Sequence, residues 1–309
     1  MKSPMPAPSN AAPRHPSAGH SSTGHPSAGP IAFQGSPGAY SDLACNEVYP
    51  DRRTLPCRTF EDALAALAGG EADLAMIPIE NSVAGRVADV HHLLPRSGLS
   101  IVGEHFAPVN HHLLAVPGAS LDTVKTVRSH VHALSQCRDA IRSLKLTPVV
   151  AADTAGAAAE IARLGDPSVA AIASELAGRI YGLVSLKAGI EDAAHNTTRF
   201  VVLAREPHMP KFTGALTVTT FLFRVRNVPA ALYKALGGFA TNGVNMTKLE
   251  SYMAGGSFAA TEFYADVEAH PSERRLQLAL DELRFFTDEL TMLGTYPAHP
   301  FRTKQNGGS

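Results

Sequence analysis

The sequence predicts an α/β protein with mostly parallel strands, followed by a smaller region of ferredoxin-like order. Three observations carry this. From Ile31 to about Met209, short apolar runs alternate with segments of helical period. Most of those runs end in a cluster of small polar residues. From Gly214 onward, the runs follow the order β-α-β-β-α-β.

Residues 1–30 precede the first run and hold seven prolines, six serines and the pentapeptide HPSAG twice, at 15–19 and 25–29. Without an apolar period this stretch has no burial to offset its ordering entropy, and it reads as a disordered tail. His15, His20 and His25 recur at a spacing of five. A solvated tail is the simpler reading of them, and weak metal binding the other.

IAF is the first strand, and QGSPG turns out of it. GSPG lacks the Lys-Ser/Thr of a P-loop and the third glycine of a dinucleotide fingerprint, so it reads as a tight turn, with Ser41 capping the next helix. TFEDALAALAGG opens with Thr59 three residues before Asp62 and closes on Gly-Gly, which marks a capped helix. ADLAMIPI is a buried strand, VADVHHLL has helical spacing, and residues 99–117 are largely extended. TVKTVRSH, TPVVAA and VAAIAS follow as strands. ALSQCRDAIRSL, DTAGAAAEIARLG and ELAGRIYG alternate with them as helices.

In the second region ALTVTTFLFRV is a strand and PAALYKALGGFATNG a helix with a glycine end. VNMTKLESYM and FAATEFYADVE are strands paired through the AGG turn at 254–256. SERRLQLALDELRFFT is an amphipathic helix with Ser272 available as its cap. ELTMLGTYP is the last strand, and FRTKQNGGS a frayed end.

The 309 residues suffice for two domains, and 45% apolar content supports a sizeable core. The balance of 27 basic to 28 acidic residues excludes a nucleic-acid or anionic-membrane footprint. No apolar run reaches the roughly 18 residues of a membrane span, and MKSPMPAPSN has no apolar signal region. Cys45, Cys57 and Cys137 are an odd number without CxxC spacing, as expected of reduced thiols in a cytoplasmic protein.

In parallel sheets ligands bind beyond the carboxyl ends of strands. That rule gathers five polar junctions: GSPGAYS at 35–41, ENS at 80–82, SHVHALSQC at 129–137, DT at 153–154 and NTTR at 196–199. A single junction of this kind is usually a helix cap; five together point to a site. Asn196, Thr197, Thr198 and Arg199 are hydrogen-bonding groups, and none is an ordinary acid or base near neutral pH. They suit an anionic, hydroxylated ligand and chemistry without a metal or a nucleophilic triad. Adjacent His91–His92 and His111–His112 diverge on any regular element, while His130 and His132 share a face if they lie on a strand. A third metal ligand is missing nearby.

The segments GSPGAYS, ADLAMIPIENSVAGRV, SHVHALSQC, AADTAGAA, AAIAS with YGL, and NTTRF resemble prephenate dehydratases. Through NVPAALYKAL and GVNMTKLES, the second region resembles the ACT domain, the amino-acid-sensing module of that family. The resemblance spans about 31–296, with no helical chorismate mutase segment in front, and so is to the monofunctional form. It implies a catalytic domain at 31–210 and an ACT domain at 214–296. The catalytic domain would have two α/β lobes, like type II periplasmic binding proteins, with the second lobe at about 109–190 and the active site between them.

Carried onto this chain, the family's catalytic part falls to Thr198, with Asn81, Ser129 and Gln136 at pocket positions. Tyr40, Glu80, Ser82, Thr154 and Arg199 follow as substrate-binding positions from their place in the motifs, Arg199 as the partner of a carboxylate. No cofactor or metal is implied. The substrate would be prephenate and the effector phenylalanine, held by Ala231, Leu232, Asn245, Glu250 and Ser251. Side-by-side pairing of ACT modules implies a homodimer or homotetramer.

Three departures stand out. Val131-His132 replaces Pro-Gln. Ala230 replaces the glycine of Gly-Ala-Leu. Tyr252-Met253 replaces Arg-Pro after Glu-Ser. Two rival readings are arogenate dehydratase, for which Glu80 or Asn81 would meet an ammonium group, and a non-catalytic bi-lobed sensor.

Overall fold

The structure, a computed structural model, describes residues 29–226, 228–253 and 260–306. The expected tail with its three histidines, apart from residues 29 and 30, and the AGG turn lie outside the described residues. Three sheets organise the remainder.

The first lobe is built on β1 (Ile31–Gln34), β2 (Thr54–Cys57), β3 (Leu74–Asn81), β4 (Gly85–Arg86), β5 (Ser100–Pro108) and a late strand, β11 (Thr197–Ala204), in the order β2-β1-β3-β11-β5 with β4 beside β3. The second lobe holds β6 (His112–Ala115), β7 (Thr126–Ser129), β8 (Thr147–Val150), β9 (Val169–Ala173) and β10 (Val184–Ala188), in the order β10-β6-β9-β7-β8.

The expectation of mostly parallel strands is corrected. β1 runs parallel to β2 and β3, and β7 to β8 and β9, but β11 is antiparallel to both its neighbours and β6 to both of its own. The cause is the chain path. It leaves the first lobe along β5, builds the second, and returns along β11 in the opposite sense.

The helices follow the predicted signals closely. α1 (Tyr40–Val48) leaves the GSPG turn, but Ser41 lies inside it and does not cap; the Asp42 carboxylate instead accepts the Gly38 N–H at 2.8 Å. α2 (Phe60–Ala68) is capped by Thr59, whose hydroxyl accepts the Asp62 N–H at 3.1 Å. α3 (Ala88–Leu93) follows β4. The single helix expected over 133–144 is two, α4 (Val131–Gln136) and α5 (Arg138–Ser143). Asp192 breaks it by accepting the N–H groups of Arg138 and Asp139 at 3.0 and 3.1 Å, which gives the second segment a new start. α6 (Thr154–Leu164) is capped by Asp153 and α7 (Glu175–Tyr181) by Ser174; each ends on a left-handed glycine, Gly165 or Gly182.

The third sheet has the order β13-β14-β12-β15, from β12 (Thr217–Val225), β13 (Met246–Met253), β14 (Ala260–Val267) and β15 (Thr287–Pro297). With α8 (Ala231–Thr241) and α9 (Arg274–Phe286) on one face, it is the ferredoxin-like unit that the sequence order predicts. Ser272 does not cap α9, which starts at Arg274 after Glu273. The other sheet face packs on the first lobe, where Val218, Leu222, Tyr264 and Tyr296 share a core with Ile79, Ile101 and Val201. A side chain on Gly294 would place its Cβ 2.0 Å from the Ile101 carbonyl oxygen, so only glycine fits this approach of β15 to β5.

The expected frayed end is also corrected. α10 (Pro300–Asn306) folds back on the first lobe. The Arg302 guanidinium donates to both Glu104 oxygens at 2.7 and 2.9 Å, and Phe301 stacks on Phe106 at 4.8 Å between centroids.

Ala230 precedes α8 at φ 63 and ψ 12, a left-handed conformation that costs an L side chain about 1 kcal/mol. Ala230→Gly is therefore expected to stabilise the fold by about 1 kcal/mol in urea unfolding. A loss of stability would show that the turn is not strained.

Candidate active site

All five polar junctions open onto one cleft of about 610 Å³ between the lobes. Its walls include Gly35 and Tyr40 from the first junction, Asn81 from the second and Gln136 from the third. Asp153, Thr154 and Thr198 come from the last two. The physical reason is the fold itself: strand ends of both lobes face each other across the cleft.

At its floor Asn81 organises the site. Its amide oxygen accepts the backbone N–H groups of Val83 and Ala84 at 2.9 and 2.8 Å, which fixes its orientation. Its amide nitrogen then donates to Thr198 Oγ1 at 3.0 Å and to Asn196 Oδ1 at 2.7 Å. The Thr198 oxygen is thus an acceptor toward Asn81, and its own hydrogen is left for a group in the cleft.

Four expected positions lie elsewhere. Ser129 is fully buried, and its hydroxyl donates to the Ile172 carbonyl at 2.6 Å, tying β7 to β9 rather than facing the cleft. Ser82 donates to the His195 carbonyl at 2.7 Å and accepts the Thr197 N–H at 2.9 Å; it latches β3 to the start of β11. Arg199 follows Thr198 on β11, so its side chain leaves by the opposite face. It is 2% exposed and bonds Glu104 at 2.9 Å, Glu80 at 2.9 Å, Asp266 at 2.6 Å and the Tyr296 hydroxyl at 3.0 Å. Glu80 faces the same cluster and takes Lys248 at 2.5 Å.

Neither Arg199 nor Glu80 is free for a substrate in this arrangement. Burial opposes the Arg199 charge, but Asp266 and the surrounding anions outweigh it and raise its pKa. Burial pushes Glu80 and Glu104 up. The cations beside them, Arg199 and Lys248 for Glu80 and Arg302 and Arg199 for Glu104, win and hold both below the usual carboxylate range.

Among the described residues the basic side chains that line the cleft are Arg86, His111, His130 and His132. Burial lowers the pKa of His111; at His130 burial comes first and the neighbouring His132 adds to it. His130 caps α4 and His132 sits in its first turn, with ring centroids 5.1 Å apart. They therefore meet on a helix start, not on a strand.

Sequence reasoning named Asn196 only within the NTTR junction and His111 only as half of a histidine pair, gave neither a role of its own, and did not single out Arg86. Asn196 is 3% exposed and bridges Asn81 of the first lobe to Gln136 Oε1 of the second, at 3.0 Å. The NTTR motif contained it, but its cross-lobe partner is sixty residues away in sequence.

The expected effector positions surround the start of α8 and the edge strand β13. Ala231, the first residue of α8, is buried, and Leu232 after it is half-buried. Asn245 donates to Glu268 at 2.6 Å. Glu250 turns toward the first lobe, 3.6 Å from Arg86, and the exposed Ser251 follows it on the strand.

The family model described as prephenate dehydratase matches residues 31–208, more than half of the chain. A bifunctional N-acyl-homoserine lactone acylase/prephenate dehydratase of Komagataeibacter europaeus is 54% identical over 89% of this chain and 98% of its own length. Arogenate dehydratase/prephenate dehydratase 1 of Arabidopsis thaliana is 40% identical over 86% of this chain and 71% of its own. The solved prephenate dehydratase of Arthrobacter aurescens, in complex with L-Phe, is 30% identical, with a TM-score of 0.79 over 90% of this chain and 97% of that one. The similarity runs along nearly the whole length of the described fold, and the chain belongs to the prephenate dehydratase family.

Proposed function

We propose that this protein converts prephenate to phenylpyruvate as a monofunctional, cytoplasmic dehydratase. Its catalytic domain spans 31–210. An ACT domain at 214–296 inhibits it when phenylalanine binds, in a homodimer or homotetramer. The observation that carries the catalytic reading is the Thr198 hydroxyl, held by Asn81 so that its hydrogen faces the cleft.

In the reaction the ring carboxylate leaves as carbon dioxide, and its bonding electrons enter the ring. The C4–O bond breaks, the ring becomes aromatic, and the departing hydroxide is protonated to water. A threonine hydroxyl is too weakly acidic to give up its proton early. Thr198 instead donates a hydrogen bond that strengthens as charge builds on the leaving oxygen. With Arg199 committed elsewhere, the substrate carboxylates fall to Arg86, the cleft histidines and backbone N–H groups at helix starts.

The Arabidopsis relative's name supports arogenate as a second substrate. Against it, Glu80 is held by Arg199 and Lys248, and the Asn81 oxygen by two backbone N–H groups. The Komagataeibacter relative's name adds N-acyl-homoserine lactone acylase activity as a further activity to test.

Purified protein is expected to release phenylpyruvate from prephenate, with the rate suppressed by phenylalanine. Arogenate and an N-acyl-homoserine lactone serve as competing substrates. Turnover insensitive to phenylalanine would mean that Ala230 and Tyr252 have disabled the sensor. No turnover of any substrate would leave a bi-lobed binding protein.

A further inference from the structure

The amide orientations in the cleft are forced, one after another, by backbone groups. The Val83 and Ala84 N–H groups fix the Asn81 oxygen, so Asn81 meets Asn196 as a donor. The Asn196 atom facing it is then its oxygen, and its nitrogen donates to Gln136 Oε1. Gln136 Oε1 also faces His111 Nε2 at 3.0 Å, so that nitrogen carries a hydrogen. In neutral His111, Nδ1 is therefore bare. Nδ1 lies 2.8 Å from the Tyr40 hydroxyl, which is also 2.8 Å from the Asn110 carbonyl. One phenolic hydrogen then serves two acceptors, and one short contact goes without a proton. A second proton, on Nδ1, removes the conflict: Nδ1 donates to Tyr40, and Tyr40 donates to Asn110.

We propose that binding of the dianionic substrate drives a second proton onto His111 Nδ1, making His111 the switchable cation of the cleft. This rests on the prephenate reading. The empty cleft disfavours the charge through burial, with His112 adding to it. Glu191, whose carboxylate accepts the His111 backbone N–H at 2.8 Å, favours it. Tyr40 and the nearby Cys137 thiol complete the titratable surroundings, and burial raises the pKa of both, keeping them neutral. A bound dianion supplies the missing counter-charge. Asn196 acts as a positioning residue, because it sets which His111 nitrogen holds the first proton.

Two measurements test this. In histidine-15N NMR of the free wild-type protein at pH 7.5, His111, identified by the signals lost in His111→Gln, is expected as the Nε2–H tautomer. In Asn196→Asp, a carboxylate acceptor turns the Gln136 amide, and the tautomer is expected to reverse to Nδ1–H. Wild-type His111 found as Nδ1–H overturns the proposal, whatever the enzyme turns over. In prephenate kinetics, kcat/KM is expected to fall tenfold per pH unit above the free-enzyme His111 pKa while kcat stays level. His111→Gln removes that slope. The same slope in His111→Gln and wild type, alongside normal prephenate turnover, overturns proton uptake but not the dehydratase reading.

Discussion

Thr198→Ala is expected to lower kcat for prephenate by about 10²–10³-fold, the usual loss when one donor to a developing oxyanion is removed. Stability should change little, because the Thr198 side chain is half-buried and, among the described residues, hydrogen-bonds Asn81 alone. Thr198→Ser keeps the hydroxyl and should recover most of the rate. The loss should appear in kcat more than in KM, since the bond strengthens as the C–O bond breaks. A kcat within tenfold of wild type in Thr198→Ala would remove this hydroxyl from the mechanism.

Arg199→Met is expected to destabilise the protein by about 3–5 kcal/mol, the cost of leaving buried charge without its partner. Glu104 and Asp266 are both fully shielded and close around the guanidinium, with Glu80 at the margin. The pH dependence gives an independent check. Glu80 and Glu104 titrate below their unfolded values, so their stabilisation is present above about pH 4.3 and is lost as pH falls through the folded values. Wild type should therefore weaken only on strong acidification. In Arg199→Met, Glu80 keeps Lys248 and Glu104 keeps Arg302, but each loses one of its cations and titrates higher than in wild type, and lowering the pH from 7 to 5 should stabilise that variant relative to wild type. Urea midpoints across this range decide it; parallel curves for the two proteins would show that Arg199 does not hold these carboxylates down.

The cleft was legible because the strand-end rule needs only apolar runs and the polar residues after them. Tyr40, Asn81, Gln136, Thr154 and Thr198 all lie in the junctions it gathered, and the family resemblance assigned their roles. The same rule misplaced Arg199, although the two-residue period of a strand already separates it from Thr198. Ser129 ends its strand as the rule requires, yet its hydroxyl satisfies a neighbouring strand's carbonyl, a choice that depends on sheet order. The proportion of parallel strands was misread because the return of β11 from the second lobe leaves no local mark. α10 was read as frayed because its anchor, Glu104, lies nearly two hundred residues upstream. Long-range pairing of this kind also joins Asn196 to Gln136 and hides the polar chain at the cleft floor.

One strand serves two masters: Thr198 turns to the cleft, and Arg199, its neighbour, to the third sheet. The reverse side of that strand is thus sealed by Asp266 and Tyr296, which belong to the C-terminal unit. Gene fusions that trade such units between enzymes would have to carry these partners with them. A foreign unit lacking the acid at 266 and the phenol at 296 would leave the guanidinium beside Thr198 to Glu104 and Glu80 alone. The two parts are thus less separable than they look along the chain.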